Sequence, residues 1–256
     1  MAKKHEGKTA VISGAASGIG QASAVRLAEE GARIVIADRD KAEQTLELIR
    51  GVGGHAAAFQ CDISNPENVA ALKAEVEKNG GRCDILVNNA GIYPMQPFDE
   101  ITFEDWRRVL SVNLDSMFLM TKALGLGMRQ RRWGRIINLA SDTVSLLVPN
   151  FIHYITSKAG VVGFTRSLAT EFGEHGVTVN AIAPGLTRTP GTLKDKEIPG
   201  GMSKEALFDL MANMQSIKRS EKVSDLIGAV SFLASDDAAF ITGQTLYVNG
   251  GLTRTT

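Results

Sequence analysis

The sequence predicts an α/β protein built on a doubly wound parallel sheet. Short apolar, β-branched runs alternate along the chain with longer helical segments, and the first of these runs passes straight into a glycine-rich turn. The runs are continuous rather than polar on every second residue, which suits strands buried on both faces. Strict strand–helix alternation then implies right-handed crossovers between parallel neighbours.

The apolar runs fall at 8–13, 32–37, 55–61, 84–89, 135–141, 177–183 and 245–249. Helices are expected between them, among others at 20–31, 67–79, 103–130 and 153–173. Ser64, Asn65 and Pro66 open the second of these helices, Gly31 closes the first, and Gly173 and Gly176 bracket the end of the last. Residues 185–217 break the alternation with Gly, Pro and charges ahead of a short amphipathic piece, and are expected to form a lid over a ligand. No internal repeat interrupts the pattern, so a single domain over 1–256 is expected.

Composition narrows the classes. The 256 residues are 44% hydrophobic and 22% charged, enough to bury a large core. Twenty-eight Lys and Arg balance 28 Asp and Glu, so no global field favours nucleic acid or an anionic membrane, and an anionic ligand must be held locally. Cys61 and Cys83 form no CxxC, and His5, His55, His153 and His175 show no ligand spacing; no metal and a reducing cytosol are expected. The N-terminus has no apolar signal region and no apolar run approaches the length of a membrane span, so a cytoplasmic location is expected.

Three local patterns carry chemistry. In the turn after the first strand, Gly14, Gly18 and Gly20 let the backbone turn tightly and let a diphosphate approach the N–H groups and positive dipole end of the next helix. Asp38 ends the second strand, where an acid accepts the ribose diol of an adenosine and repels a 2′-phosphate, which favours NAD; Arg39 beside it could clamp that phosphate, which keeps NADP open. Tyr154 and Lys158 lie four apart on one helical face, where a cation can stabilise a tyrosinate whose free phenol has a pKa of about 10. His153 points about 100° away from Tyr154 and is read as packing or pocket rim. The basic run at 128–135 is read as complementing a helix C-terminus rather than gripping an acidic partner.

GAASGIG at 14–20, NNAG at 88–91, YxxxK at 154–158 and PG at 184–185, in that order, resemble the classical short-chain dehydrogenase/reductase family over nearly the whole chain. The resemblance implies a Rossmann-like domain with a seven-stranded parallel sheet, commonly a homotetramer, moving hydride between a nicotinamide and an alcohol or ketone carbon. It matches Asn113, Ser141, Tyr154 and Lys158 to the catalytic four, the serine thirteen positions before the tyrosine. It places Gly14, Ser17, Gly18, Ile19 and Gly20 on the phosphates, Asp38 and Arg39 at the adenosine ribose, and Asp62 and Ile63 at the adenine. Asn89, Ala90 and Gly91, then Pro184, Gly185, Thr187 and Thr189, complete the cofactor set, with Tyr154 and Lys158 at the nicotinamide end. It also implies that Asn113 keeps a water beside Lys158 through a helix distortion. Ser13 stands where the family usually has threonine, keeping the hydroxyl.

Tyr93, Thr143, Leu147, Phe151 and Met214 are expected to form an apolar, partly aromatic substrate pocket suited to a hydrophobic or aryl secondary alcohol. The stretches at 81–106 and 133–139 are similar to the branch of the family that includes 1-phenylethanol dehydrogenase. The competing readings are an NADPH-dependent 3-oxoacyl carrier-protein reductase and a non-catalytic dinucleotide-binding protein; the complete Asn-Ser-Tyr-Lys set counts against the latter.

Overall fold

The structure, a computed structural model, describes residues 3–79, 81–146, 148–194, 198 and 201–253. Seven strands form one parallel sheet: β1 (Thr9–Ser13), β2 (Arg33–Asp38), β3 (His55–Gln60), β4 (Ile85–Asn88), β5 (Gly134–Leu139), β6 (Val177–Pro184) and β7 (Thr245–Val248), in the order β3-β2-β1-β4-β5-β6-β7. β1, β4, β5 and β6 are buried along their whole length, as continuous apolar runs require, whereas the edge strand β3 is half-buried or exposed.

Alternate side chains feed two separate cores. Ile12, Ile36, Val87 and Ile137 pack on one face with α1 (Gly18–Glu29), α2 (Glu43–Gly51) and α8 (Val223–Leu233). Val11, Val35, Leu86 and Ile136 pack on the other with α3 (Pro66–Asn79), α5 (Ser116–Arg131) and α6 (Ile152–Phe172). The chain runs outward from β1 through β2 to β3, then returns to β4 on the other side of β1, pairing Ile12 with Val87. The crossovers on either side of this reversal leave in opposite directions, which opens a crevice at the C-terminal ends of β1 and β4.

The helix expected over 103–130 is interrupted. α4 (Phe103–Leu110), opened by a capping box between Thr102 and Asp105, runs into a π-helical turn at Ser111–Asp115 before α5 resumes. Contrary to the sequence expectation, the run Phe103–Arg131 is long and apolar enough, by length and composition, to cross a membrane. It is a core helix: Met117, Met120, Leu124 and Met128 are buried against the sheet. The 185–217 segment contributes α7 (Lys204–Met214), and the two-residue strands Thr187–Arg188 and Glu221–Lys222 pair to bring the ends of the insertion together.

Candidate active site

The glycine turn divides its labour. Gly14 (φ +67°) and Gly20 serve close packing: a Cβ on Gly14 would lie 2.7 Å from the Ala90 Cα, and one on Gly20 would lie 2.2 Å from the Gly14 carbonyl oxygen. Gly20 therefore seats α1 against the turn. Gly18 (φ +60°) faces more open space, where a Cβ would meet Thr189 at 3.5 Å. Ser17 caps α1 in extended conformation without a side-chain capping bond. The Ser13 hydroxyl oxygen accepts from the N–H groups of Asn89 (3.0 Å) and Ala90 (3.2 Å), and Asn89 Nδ2 donates to the carbonyls of Ser13 and Gly14, both at 2.9 Å. The Asn89 side chain thus stitches β4 to the turn.

Gly14, Ser17, Gly18, Ile19, Asp38, Arg39, Asp62, Ile63, Asn89, Ala90 and Gly91 all line one cleft of about 280 Å³. Its acids are held in place by backbone. Asp38 Oδ2 accepts from the Ala16 N–H at 2.8 Å and Oδ1 from the Asp40 N–H at 3.0 Å. Asp62 Oδ1 accepts from the Ser64 hydroxyl at 2.6 Å and the Ser64 N–H at 3.0 Å, and the hydroxyl bond foremost holds its carboxyl below the usual range. A glycine turn at the N-terminus of α1 and a pinned acid at the end of β2 fit a dinucleotide.

A second, largely apolar cleft of about 490 Å³ adjoins the first, the two sharing Ile19, Asn89, Gly91, Tyr93 and Thr189. Ser141, just past the end of β5, and Tyr154 and Lys158, on the first turns of α6, lie in its wall. Ser141 Oγ accepts from Thr143 Oγ1 at 2.9 Å and the Thr143 N–H at 3.2 Å, and is hydrogen-bonded to the Tyr154 hydroxyl. Thr143, expected as a pocket residue, lines the cleft and also fixes the serine. Tyr93 and Phe151 meet the Tyr154 ring edge-on, with centroids 6.4 and 5.1 Å away.

Lys158 is only 4% exposed; its Nζ donates to the Leu139 carbonyl at 2.7 Å and stands 5.8 Å from the centroid of the Tyr154 ring. Burial pulls the ammonium down to about 8. Burial pushes the Tyr154 phenol up to about 12, with the Ser141 hydrogen bond opposing and the charge of Asp142 adding to the rise. The expected lowering of the phenol invokes the lysine together with the positive charge of an oxidised nicotinamide; with the protein's own residues alone, burial dominates and holds Tyr154 as the proton-bearing phenol.

Asn113 sits in the π turn, fully buried. Its Oδ1 accepts from the Ile92 N–H (2.8 Å), and its Nδ2 donates to the Ile92 carbonyl (2.9 Å) and the Ser157 hydroxyl (3.0 Å), which donates in turn to the Tyr154 carbonyl at 2.6 Å. The helix distortion implied by the resemblance is present, and the Asn113 side chain is spent clamping the NNAG loop to α6. Gly91 packs between the two: a Cβ there would lie 3.2 Å from Asn113 Oδ1 and 3.5 Å from Lys158 Nζ. His153 is buried rather than at the pocket rim; its Nδ1 accepts from the Tyr154 N–H at 3.0 Å and burial lowers its pKa.

The remaining candidates lie around the mouth and floor. Pro184, Gly185, Thr187 and Thr189 line the apolar cleft, but Thr187 donates its hydroxyl to Glu221 at 2.6 Å and is tied up structurally. Met214 is a half-exposed rim residue, and Leu147 lies outside the described residues. Sequence reasoning missed Ile198, Leu207 and Leu210 of the covering segment, Leu252 near the C-terminus, and Asp142. The amphipathic pattern of 204–214 carried a signal for the first group; nothing local marks Leu252. In the basic run, Arg129 pairs with His175, Arg131 donates to the Cys83 carbonyl, Arg132 to the Glu174 carbonyl, and buried Arg135 to the Ser235 carbonyl and Asp236.

A crevice at a sheet reversal that joins a diphosphate turn to an apolar cleft walled by Ser, Tyr and Lys defines a nicotinamide-dependent oxidoreductase. Residues 14–253 match the family described as enoyl-(acyl carrier protein) reductase. The chain is 36% identical over 249 residues to the 3-oxoacyl-(acyl-carrier-protein) reductase FabG of Pseudomonas aeruginosa, covering 96% of this chain and 98% of that one. It is 38% identical over 251 residues to D-threitol dehydrogenase of Mycolicibacterium smegmatis, covering 97% and 94%. A 7α-hydroxysteroid dehydrogenase solved with NADH and 7-oxo glycochenodeoxycholic acid superposes with a TM-score of 0.90 at 33% identity, covering 97% and 95%. The chain belongs to the classical short-chain dehydrogenase/reductase family, and it is an NAD(P)-dependent oxidoreductase that acts on CH–OH groups.

Proposed function

We propose that the protein interconverts a hydrophobic or aryl secondary alcohol and its ketone, with NAD as the preferred cofactor, as the branch containing 1-phenylethanol dehydrogenase does by resemblance. The observation that carries the reading is the apolar 490 Å³ cleft meeting the Ser141–Tyr154 hydroxyl pair, so that a carbonyl oxygen placed there leaves its apolar substituents against Phe151, Leu207, Leu210 and Met211.

Ser141 orients the carbinol or carbonyl oxygen, its own oxygen being held by Thr143. Tyr154 gives its proton to the oxygen that gains charge in reduction, and takes it back in oxidation. Lys158 and Tyr154 would hold the nicotinamide ribose, Thr189 and Gly185 the nicotinamide end, the turn at 14–19 the phosphates, and Asp38 the adenosine diol. The bound nicotinamide supplies hydride transfer and, when oxidised, a positive charge. Asn113 keeps the NNAG loop and α6 in register, which fixes the distance between the two clefts.

A carrier-protein reductase using NADPH is the second reading, supported by the likeness to FabG and by exposed Arg39 in the cleft lining. The internal commitments of Arg129, Arg131, Arg132 and Arg135 count against a basic grip for an acidic carrier. A turnover panel of aryl, aliphatic and polyol secondary alcohols and ketones, and a 3-oxoacyl thioester, with NAD(H) and NADP(H), tests both. Strong NAD-dependent turnover of the aryl compounds is expected; thioester reduction with NADPH alone overturns the proposal.

The proposed assembly is a homotetramer. It is supported by Phe103 and Phe118, 77% and 54% exposed on the α4–α5 run, and sedimentation of the purified chain tests it. Both cysteines are free and buried, in keeping with the cytosolic compartment we propose.

A further inference from the structure

Ser141 is followed by an acid that the proposed chemistry does not use. Asp142 opens the 3₁₀ turn Asp142–Val144, is only 3% exposed, lies in the wall of the apolar cleft and is hydrogen-bonded to the Asn249 side chain. Its Oδ2 has no hydrogen-bond partner among the described residues. Glu221, on the two-residue strand at the far end of the covering segment, is 6% exposed; its Oε1 accepts from Thr187 Oγ1 at 2.6 Å and its Oε2 from the Gly185 N–H at 3.0 Å. Gly185 is the wedge between the two acids' supports. A Cβ on it would lie 2.8 Å from Glu221 Oε2 and 3.2 Å from Asn249 Cβ.

Neither carboxyl has a cation of its own. Among the described residues no ion pair reaches Asp142 or Glu221. Arg219, the cation acting on Glu221, is forked onto Asp225 at 2.6 and 2.8 Å, and Lys158 is turned to the Leu139 carbonyl. The charged and titratable groups facing the pair are therefore Tyr154 on the side of Asp142, and Arg219 and Asp225 on the side of Glu221. Two buried carboxylates with no counter-charge do not both ionise readily.

We propose that Asp142 is a positioning residue of the active site: with Glu221 it forms a buried carboxyl pair that retains a proton, and that proton governs the charge facing Tyr154. Glu221 has two donors to stabilise its anion while Asp142 Oδ2 has none, so the proton resides on Asp142. Burial and the charge of Glu221 push Asp142 up to about 7, and burial pushes Glu221 up to about 7 against its two hydrogen bonds. Ionised Asp142 raises the affinity of Tyr154 for its proton. Neutral Asp142 favours the tyrosinate that oxidation needs, and charged Asp142 extends to higher pH the phenol that reduction needs.

The inference rests in part on the reading of Tyr154 as the proton-transfer group, so its test has one arm without turnover. In that arm the carboxyl C=O stretch is followed by infrared difference spectroscopy across a pH titration of wild type, Asp142→Asn and Glu221→Gln. Wild type is expected to show a protonated carboxyl at neutral pH that the Asn variant lacks and that, in the Gln variant, ionises at lower pH. In the second arm, the pH profiles of kcat/KM for oxidation and reduction are compared, and the tyrosine limb of Asp142→Asn, rising with pH in oxidation and falling in reduction, is expected to move down by roughly one pH unit in both. If neither variant alters a protonated-carboxyl signal, the proposal is overturned even where the enzyme is active. If the signal behaves as expected but the limbs of a folded Asn variant coincide with wild type, the control of Tyr154 is overturned. An enzyme with the expected infrared signal and no turnover of any alcohol or ketone sinks the functional reading instead.

Discussion

Lys158 Nζ donates to the Leu139 carbonyl at 2.7 Å, so the ammonium of α6 is anchored to the strand whose end carries Ser141. One bond ties the tyrosine–lysine helix to the serine strand and holds a buried cation in the wall of the apolar cleft. It also makes the lysine a liability for folding. A lysine lowered from 10.5 to about 8 binds fewer protons folded than unfolded between those values, so its penalty is full below pH 8 and fades as pH rises toward 10.5. Lys158→Met is therefore expected to lose turnover while its melting temperature, relative to wild type, is higher at pH 7 than at pH 10. The difference corresponds to at most about 3 kcal/mol. Calorimetry at the two pH values checks it, and a pH-independent difference contradicts it.

Removing only the phenolic proton separates chemistry from binding. Tyr154→Phe keeps the ring that packs edge-on with Tyr93 and Phe151. Turnover is expected to fall by roughly 10²–10⁴-fold or more while NADH binding, followed by fluorescence titration, stays within twofold, roughly the scatter of a lost neutral contact.

Asp38 presents a pinned carboxylate at the end of β2. Asp38→Ala is expected to weaken NAD by about tenfold, the size of a charge-assisted hydrogen bond, and to improve the relative use of NADP. Steady-state kinetics with both cofactors decides, and a wild type that already prefers NADP refutes the assignment.

The glycines of the turn should respond differently from a glycine in open space. Gly20→Ala drives a methyl to within 2.2 Å of a backbone oxygen and is expected to destabilise by more than about 3 kcal/mol or prevent folding. Gly228→Ala, inside α8 with nothing within 4 Å, is expected to stabilise by about 0.5–1 kcal/mol. Chemical denaturation of the two variants tests the contrast.

The strand runs were readable because burial on both faces leaves a local, continuous apolar pattern, and all seven expected strands overlap the observed ones to within a residue or two. The 103–130 helix was readable in extent but not in its π turn, because the extra residue at Ser111–Asp115 is stabilised by Asn113 reaching Ile92 and Ser157, contacts 21 and 44 residues away. Tyr154 and Lys158 were placed on one face by helix periodicity alone. That both are desolvated enough to work against the expected lowering of the phenol depends on packing that no four-residue spacing contains.

Residue order by itself determined the sheet class, and it marked the glycine turn and the Tyr154–Lys158 pair from neighbours within a turn, while Ser141 was marked through the family resemblance. Only the tertiary structure decided that Gly20 packs tightly against the turn, that the arginines of 128–135 are spent internally, and that Asp142 and Glu221, 79 residues apart in the chain, are both buried without an ion-pair partner among the described residues. The physical reason is the range of the forces involved. Propensity and hydrophobic periodicity act between near neighbours, whereas desolvation and unpaired buried charge are properties of a place that distant segments build together.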